Sequence, residues 1–293
     1  MTIILLSAGV ALVLAFLLGV LLAVFKKLFY VEADKKVVEI REALPGANCG
    51  ACGFPGCDGF AQAVADGDAP VSGCPVGAGP VAEAIGKIMG VSASSEKKVA
   101  MLLCQGTHNV CKNKAGYIGI KTCVAAKLSI NGTKNCDWGC IGLGDCEVSC
   151  PFDAIKVQDD GLPFIDEEKC TGCGICVEQC PQKILQLMPE SLKGAFALCS
   201  CHNPKKAVIM KDCKRGCIKC GKCERVCEPG ALKLVNGIPQ IDPELCTSCG
   251  KCVEGCPTKV LILAQDRVKV LPTVEVCAEE QKEKVKQEEP VDA

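Results

Sequence analysis

The sequence predicts an α+β chain with three parts: one membrane-spanning helix, a small helical cysteine domain, and two tandem copies of a mixed helix–strand unit. Three observations lead to this architecture. An apolar run without charges occupies residues 3–25. The chain has 27 cysteines and a single tryptophan in 293 residues, which favours several small cross-linked or metal-bound modules over one large core. The cysteine spacing is repeated between residues 136 and 256.

The apolar run at residues 3–25 is long enough to cross a bilayer. Lys26 and Lys27 follow it directly and no Lys or Arg precedes it, whereas a cleaved signal peptide has its basic residues first. By the positive-inside rule, the N-terminus is expected outside and the rest of the chain in the cytoplasm, at the inner membrane. In that reducing compartment, clustered cysteines are expected to bind metal rather than form disulfides. A buried core helix is the alternative interpretation of the run.

Composition divides the chain into five segments. We expect a transmembrane anchor at 1–30, a cysteine domain with its linker at 31–98, repeat modules at 99–190 and 191–278, and a disordered charged tail at 279–293. The spacing of apolar residues predicts short helices over residues 31–44 and 78–90.

Each repeat module carries two motifs of four cysteines. The motifs of the first module are Cys136, Cys140, Cys146, Cys150 and Cys170, Cys173, Cys176, Cys180. Those of the second module are Cys213, Cys217, Cys223, Cys227 and Cys246, Cys249, Cys252, Cys256. Between the two motifs, apolar segments flank Asp160-Gly161 in the first module and Asn236-Gly237 in the second, which predicts a β-hairpin in each.

The spacing C-x2-C-x2-C-x3-C is that of an iron–sulfur run in which the fourth cysteine ligates the other cluster of a pair. It begins at Cys170, Cys217 and Cys246. Zinc ribbons need only C-x2-C pairs, so three consecutive cysteines fit zinc poorly. The motif that begins at Cys136 departs from this spacing, because Leu143 stands where the second module has Cys220.

A separate group of cysteines lies before the repeat, with the spacing Cys49-x2-Cys52-x4-Cys57-x16-Cys74. Four thiols suffice for one [4Fe–4S] cluster. The glycines between them allow the backbone to wrap closely around such a group. A zinc knuckle is the alternative interpretation of this group.

The repeat region resembles the two-cluster bacterial-type ferredoxins, twice over residues 130–265. The resemblance implies a pseudo-symmetric β-α-β fold with cross-ligated clusters. In the second module it implies the ligand sets Cys217, Cys220, Cys223, Cys256 and Cys246, Cys249, Cys252, Cys227. In the first module it implies the sets Cys170, Cys173, Cys176, Cys150 and Cys136, Cys140, Cys146, Cys180. Here Cys136 replaces the thiolate missing at Leu143, and its repeat partner Cys213 is surplus.

With the N-terminal group, these ligand sets amount to five [4Fe–4S] clusters. Seven cysteines remain, namely Cys104, Cys111, Cys123, Cys199, Cys201, Cys213 and Cys277. The equal gaps from Cys111 to Cys123 and from Cys201 to Cys213 make a sixth cluster possible. Buried thiols without a cofactor are the alternative that we prefer from the sequence. His108 and His202 are assigned no role.

Other functions find little support in the sequence. It contains no G-x-G-x-x-G after a strand and no G-x4-G-K-[ST] motif. No Ser/His/Asp or carboxylate constellation stands out. The net charge of −1 gives no electrostatic support for nucleic-acid binding. The chain is therefore expected to transfer electrons and to lack a complete active site of its own.

The order of membrane helix, Cys49-type domain and ferredoxin modules resembles the B subunits of Rnf complexes over almost the whole chain. The segment ALPGANCGACGFPGCDGFA is the most specific part, and CIGLGDC with two ferredoxin pairs is similar to the long form of anaerobic bacteria. The resemblance implies an iron–sulfur subunit of a membrane-bound, ion-translocating ferredoxin:NAD oxidoreductase. Such a subunit takes electrons from soluble ferredoxin and passes them to flavin-bearing and membrane partner subunits. The alternatives are a membrane-anchored polyferredoxin of another reductase or hydrogenase and, in a different class, a zinc-stabilised interaction protein.

Overall fold

The computed structural model describes residues 2–29, 34–114 and 116–267. The tail expected to be disordered at 279–293 and Cys277 lie outside these residues. The described chain consists of an N-terminal helix, a three-helix unit and two modules of short strands and helices.

Helix α1 (Thr2–Leu28) contains the predicted apolar run. Among the described residues, its part Ala11–Leu28 is the one helix that is long and apolar enough to cross a membrane. Leu12, Phe16 and Leu22 on this helix are all more than half exposed. A core helix would bury such side chains, so the alternative of a buried core helix is wrong. The exposed apolar surface instead fits contact with lipid or with other membrane helices.

The N-terminal cysteine group lies in a three-helix unit. It consists of α2 (Lys35–Ala43), α3 (Gly56–Asp66) and α4 (Ala78–Met89). The side chain of Asp34 caps α2 by accepting the N–H of Lys36 at 2.9 Å. Ile40, Phe60 and Ile85 pack together in the core of the unit. The helix predicted over 78–90 is confirmed, and the helix predicted over 31–44 is present from Lys35 onward.

The two repeat modules have similar element orders. The first contains β1 (Lys98–Leu102), α5 (Cys123–Ile130), α6 (Asp145–Val148), β2 (Ile155–Val157), β3 (Pro163–Ile165), α7 (Ile175–Gln179) and β4 (Leu185–Pro189). The second contains β5 (Ala195–Ala197), α8 (Lys206–Asp212), α9 (Lys222–Arg225), β6 (Leu232–Val235), β7 (Ile238–Ile241), α10 (Lys251–Glu254) and β8 (Leu261–Leu263). A 3-10 helix, Ala264–Asp266, follows β8.

Each module has two antiparallel sheets of two strands. The first and last strands pair, as β1 with β4 and β5 with β8, and the inner strands form the hairpins β2–β3 and β6–β7. The register places Ala100 opposite Leu187 and Phe196 opposite Ile262. The sequence predicts the hairpins because their partners are local. Strand β1 is not predicted, and the expected linker runs up to residue 98, where β1 begins. The reason is that β1 pairs with residues about ninety positions away, so no local pattern indicates the strand.

The two predicted hairpin turns differ in the structure. Asn236 and Gly237 both have positive φ and connect β6 directly to β7, as a two-residue hairpin turn requires. Five residues separate β2 from β3, and the N–H of Gly161 is donated to the carbonyl of Gln158. In this longer loop the carbonyl of Asp160 accepts the N–H of His108 from outside the hairpin.

The modules contact each other through an apolar layer and an ion pair. Met101 from β1 packs with Phe196, Leu198 and Ile262 of the second module. Arg267, at the end of the second module, donates two hydrogen bonds of 2.8 and 2.9 Å to the carboxylate of Glu167 in the first. The bidentate geometry and partial burial of this pair make it a specific link between the modules.

Candidate iron–sulfur sites

The cysteines of the described chain are all free thiols. Most are buried or half-buried, and Cys249 is the exposed one. All of them are therefore available as ligands, and their grouping in space decides which sites they can form.

The four cysteine loops of the repeat share one backbone conformation. The loops begin at Cys140, Cys170, Cys217 and Cys246. In each loop, the residues 2, 4 and 13 positions after that cysteine have positive φ. These residues are Gly142, Gly144 and Asp153; Gly172, Gly174 and Lys183; Lys219, Gly221 and Gly230; and Ser248, Gly250 and Lys259. Side chains at such φ values are strained, so the surroundings must impose the conformation. The loop that begins at Cys140 follows the pattern despite Leu143, and it therefore retains the shape of the other three.

The N-terminal group comes together around the start of α3. Cys57 and Cys74 are buried, while Cys49 and Cys52 are half-buried. The side-chain oxygen of Asn48 accepts the N–H of Cys57 at 2.9 Å and so holds the loop against the helix. Burial raises the pKa of Cys74, and the nearby thiols of Cys52 and Cys57 add to the increase. If these thiols are deprotonated as ligands, their negative charges lie close together and must be balanced by a cation or a cationic core.

The second module brings together both sets implied by the resemblance. One cavity is lined by Cys227, Cys246, Cys249 and Cys252. In the other set, burial raises the pKa of Cys217, and the neighbouring thiols of Cys256 and Cys220 contribute. Burial also raises the pKa of Cys223 to about 11, with contributions from Cys217 and Cys220.

In the first module, one set matches the implied ligands. Burial raises the pKa of Cys176 to about 12, and the thiols of Cys170, Cys173 and Cys150 contribute to this increase. The sulfur of Cys170 also accepts the N–H of Ala100 in β1 at 3.4 Å. Such N–H···S contacts are one means by which proteins adjust iron–sulfur clusters.

The other set of the first module contains Cys123 rather than Cys136. Cys123, Cys140, Cys146 and Cys180 line one cavity. Helix α5 begins at Cys123, and the carboxylate of Asp145 accepts the N–H of this residue at 2.7 Å. Burial raises the pKa of Cys146 to about 12, and the thiol of Cys123 is the next contribution. In the structure Cys123, and not the expected Cys136, lies beside the other three thiols of this set.

Cys136 lies at the interface of the two modules. It lines a cavity together with Cys104, Cys111, Cys199, Cys201 and Cys213. Cys111 and Cys213 form an antiparallel β-bridge, and the hydrogen bond from Cys213 lowers the pKa of Cys111 to about 7. The hydrogen bond from Cys136 lowers the pKa of Cys201 to about 6. Each of the two thiol pairs therefore joins one module to the other.

The thiol pairs at this interface are crossed between the two modules. Cys136 and Cys213 are partners in the sequence repeat, and each forms a hydrogen bond with a thiol of the other module. Cys213, which the sequence leaves as a surplus thiol, lies among these interface thiols. The sequence carried one signal for the site, because the gap from Cys111 to Cys123 equals the gap from Cys201 to Cys213. This signal did not reveal the crossed pairing.

Cys104 and Cys199 lie beside the paired thiols and have other partners. The sulfur of Cys104 accepts N–H groups from Gly106 at 3.3 Å and Cys140 at 3.5 Å. The sulfur of Cys199 accepts the N–H of Cys217 at 3.4 Å. Each of these sulfurs thus lies between the interface thiols and a neighbouring cysteine loop.

These groups of thiols fit a multinuclear core better than a single metal ion. In the described residues, no three His, Cys, Asp or Glu side chains converge as one ion requires, whereas zinc needs four donors at about 2.0–2.3 Å. A cubane core spreads its four thiolates over separate iron atoms. The purely thiol donor sets, the shared loop conformation and the N–H···S contacts all fit [4Fe–4S] clusters.

The fold and these sites define an iron–sulfur protein built from ferredoxin-type modules. Three family models match the chain: a putative Fe-S cluster domain over residues 44–76, a 4Fe-4S binding domain over 163–186 and a 4Fe-4S dicluster domain over 216–260. The matched ranges coincide with the N-terminal group and with parts of both repeat modules.

Relatives over most of the chain narrow this class to one family. The B subunit of a Na(+)-translocating ferredoxin:NAD(+) oxidoreductase complex from Acetobacterium woodii is 43% identical, covering 87% of this chain and 76% of its own length. The B subunit of an ion-translocating oxidoreductase complex from Methanosarcina acetivorans is 38% identical, covering 85% and 94%. A proton-translocating counterpart from Clostridium ljungdahlii is 36% identical, covering 84% and 87%. The chain belongs to the Rnf family of B subunits of ion-translocating oxidoreductase complexes.

Proposed function

We propose that this chain is the electron-transfer subunit of a membrane-bound, ion-translocating ferredoxin:NAD oxidoreductase and that it accepts electrons from reduced ferredoxin. The observation that carries the proposal is the continuous series of thiol sets from the three-helix unit to the last cysteine loop. Relatives named for ferredoxin:NAD oxidoreduction support the activity. Their names differ in the translocated ion, so the shared element is the redox reaction.

We further propose that the chain holds six [4Fe–4S] clusters rather than five. When bound, each cluster takes up and releases one electron. Four of the ligand sets are Cys49, Cys52, Cys57, Cys74; Cys150, Cys170, Cys173, Cys176; Cys217, Cys220, Cys223, Cys256; and Cys227, Cys246, Cys249, Cys252. The other two are Cys123, Cys140, Cys146, Cys180 and the interface set Cys111, Cys136, Cys201, Cys213. Cys104 and Cys199 remain as thiols that bind no iron.

In the first half of the chain, neighbouring sets are close enough for their charges to interact. The pKa of Cys173 is raised by burial and also by Cys49 of the three-helix unit. The pKa of Cys146 is raised by burial and also by Cys176 of the adjoining set. These two contacts connect the N-terminal site to both sites of the first module.

Non-ligand thiols link the remaining sites. Cys104 accepts the N–H of Cys140 on one side and lines the interface cavity with Cys136 on the other. Cys199 lines the same cavity and accepts the N–H of Cys217 in the second module. The six sites thus form one row, with the three-helix unit at one end and the set containing the exposed Cys249 at the other.

The second module provides a surface suited to an acidic electron donor. Seven exposed basic side chains lie between residues 205 and 225, namely Lys205, Lys206, Lys211, Lys214, Arg215, Lys222 and Arg225. None of them belongs to an ion pair within the described chain. The equivalent part of the first module, residues 128–148, has one lysine and three acidic residues. A basic surface of this kind attracts an acidic ferredoxin and raises its association rate.

The anchor explains how the relay is kept beside its partner subunits. The last turn of helix α1 contains Lys26 and Lys27, so we propose a single-pass anchor with its N-terminus outside and the iron–sulfur body in the cytoplasm. The chain would deliver its electrons to membrane and flavin-bearing subunits of the same complex.

Rapid mixing of the reconstituted full-length chain with reduced ferredoxin tests the function, with cluster reduction followed by absorbance and EPR. We expect reduction of the chain at a rate that depends on ferredoxin concentration and decreases with salt. A chain loaded with its iron that reduced ferredoxin cannot reduce would overturn the proposal.

A further inference from the structure

Lys134 is a buried cation without an anionic partner in the described chain. The residue is 1% exposed, and its ammonium donates a 3.3 Å hydrogen bond to the carbonyl of Gly161. None of the ion pairs among the described residues includes it. Burying an ammonium away from water is unfavourable unless a negative charge compensates it. The position of Lys134 therefore requires a source of negative charge other than a carboxylate.

Two thiol sets adjoin this lysine. Lys134 lines the interface cavity together with Cys111 and Cys136. It also lies near Cys140, where burial raises the pKa of the thiol and the charge of Lys134 opposes that effect. The ammonium is thus placed between the interface set and the set that contains Cys123.

The backbone holds Lys134 firmly in this place. Lys134 forms an antiparallel β-bridge with Asn113. The residues on both sides of Lys134 are also held by backbone hydrogen bonds. The N–H of Lys114 is donated to the carbonyl of Thr133, and the N–H of Asn135 to the carbonyl of Lys112. The side chain therefore starts from a backbone segment that three neighbouring pairings hold in place.

We propose that Lys134 is the counter-charge of the two adjoining clusters and raises their reduction potentials. This inference rests on the proposed six-cluster assignment. Reduction adds a negative charge to a cluster whose thiolate ligands already make it anionic. A fixed positive charge in a poorly solvated site stabilises the reduced form more than the oxidised form. These two sites, at the middle of the row, are therefore easier to reduce than they would be without the lysine.

The sequence repeat offers a matched control. Lys211 lies 77 positions after Lys134 and, like it, precedes a cysteine of the interface set by two residues. Lys211 is exposed on α8, whereas Lys134 is buried. The same substitution at the two positions removes the same side chain and the same charge, but only the charge of Lys134 is shielded from water.

The test compares Lys134→Met and Lys211→Met in the full-length, iron-loaded chain by EPR-monitored redox titration. For Lys134→Met we expect unchanged iron content and a shift to lower potential of the signal from one or two clusters. At a fixed solution potential their reduced-to-oxidised ratio should fall about tenfold, which corresponds to about 59 mV for one electron. Lys211→Met should titrate like the unaltered chain.

A third variant, Lys134→Arg, separates charge from packing. It should retain the iron content and the potentials of the unaltered chain. Equal shifts in Lys134→Arg and Lys134→Met would overturn the proposal, and so would unchanged potentials in an iron-loaded Lys134→Met chain. If Lys134→Met loses iron, retention of iron by Lys134→Arg supports the counter-charge, and equal loss in both overturns it. Failure of the six-cluster assignment would be recognised separately, by low iron in the unaltered chain.

Discussion

The carboxylate of Asp145 accepts the backbone N–H of Cys123 at 2.7 Å and that of Val124 at 3.0 Å. Asp145 lies in the cysteine loop of the first module, and the two N–H groups are at the start of α5. The contact therefore ties a helix outside the loop to the loop itself. The second module has Lys222 at the equivalent position of Asp145 and Cys220 at that of Leu143. Asp145 thus occurs in the module that lacks the local cysteine, and its hydrogen bonds hold Cys123 beside that loop.

Replacing Asp145 with alanine should impair the site that contains Cys123. The substitution removes the acceptor of two N–H groups at a helix N-terminus, which costs about 1–2 kcal/mol. We expect a lower melting temperature and slower or incomplete iron loading at one site. Glu83→Ala, at an exposed position of α4, serves as the control. Identical iron loading and melting in both variants would contradict the role of Asp145.

Replacing Cys123 with alanine should damage one cluster, although this cysteine lies outside the repeated motifs. The three remaining thiolates leave one iron of the cubane without a protein ligand, so the cluster converts or is lost. Iron analysis and EPR should report the loss of about one cluster, roughly one to four iron atoms. Cys104→Ala is the matched control, because Cys104 is also buried but is proposed to bind no iron. Loss of iron from Cys104→Ala with an intact Cys123→Ala chain would reverse the assignment.

The unaltered chain should contain about 24 iron atoms, as six [4Fe–4S] clusters require. Cys136→Ala and Cys213→Ala should each lower this number to a similar extent, because both residues belong to the proposed interface set. Chemical iron and spin quantification after full reduction provide the measurement. A chain with about 20 iron atoms that loses none on replacement of Cys213 would favour five clusters and a surplus thiol.

Reversing charge on the basic surface should slow electron uptake from ferredoxin. Lys206→Glu combined with Lys222→Glu changes the local charge by four units and should lower the second-order rate at low ionic strength by roughly tenfold. The difference should shrink as salt is added. Lys87→Glu, on the exposed face of α4, provides the control. A rate unaffected by the double substitution would place ferredoxin binding elsewhere on the chain.

Deleting residues 1–27 should yield a water-soluble protein that still loads its iron. Helix α1 supplies no cysteine, and its side chains from Ala11 to Leu28 are all exposed. We expect iron content equal to that of the full-length chain and loss of association with membranes containing the partner subunits. A truncated chain that cannot incorporate iron would assign a folding role to the helix.

Much of this protein is determined by local sequence. The apolar length of α1, the two-residue turn at Asn236-Gly237 and the loops that begin at Cys170, Cys217 and Cys246 are each encoded within about thirty residues. Turn chemistry and short cysteine spacings restrict the backbone directly, so these features follow from the order of residues alone.

Only the tertiary structure decided the positions of Cys123 and Cys136. The sequence favours Cys136 as the replacement for the thiol missing at Leu143, because it is the nearer of the two to Cys140. The choice depends on the hydrogen bonds of Asp145 and on the approach of Cys201 from the other module. The interface set and the burial of Lys134 likewise depend on two modules packing together. Contacts between residues far apart in the sequence form only when the chain has folded, and no local pattern records them.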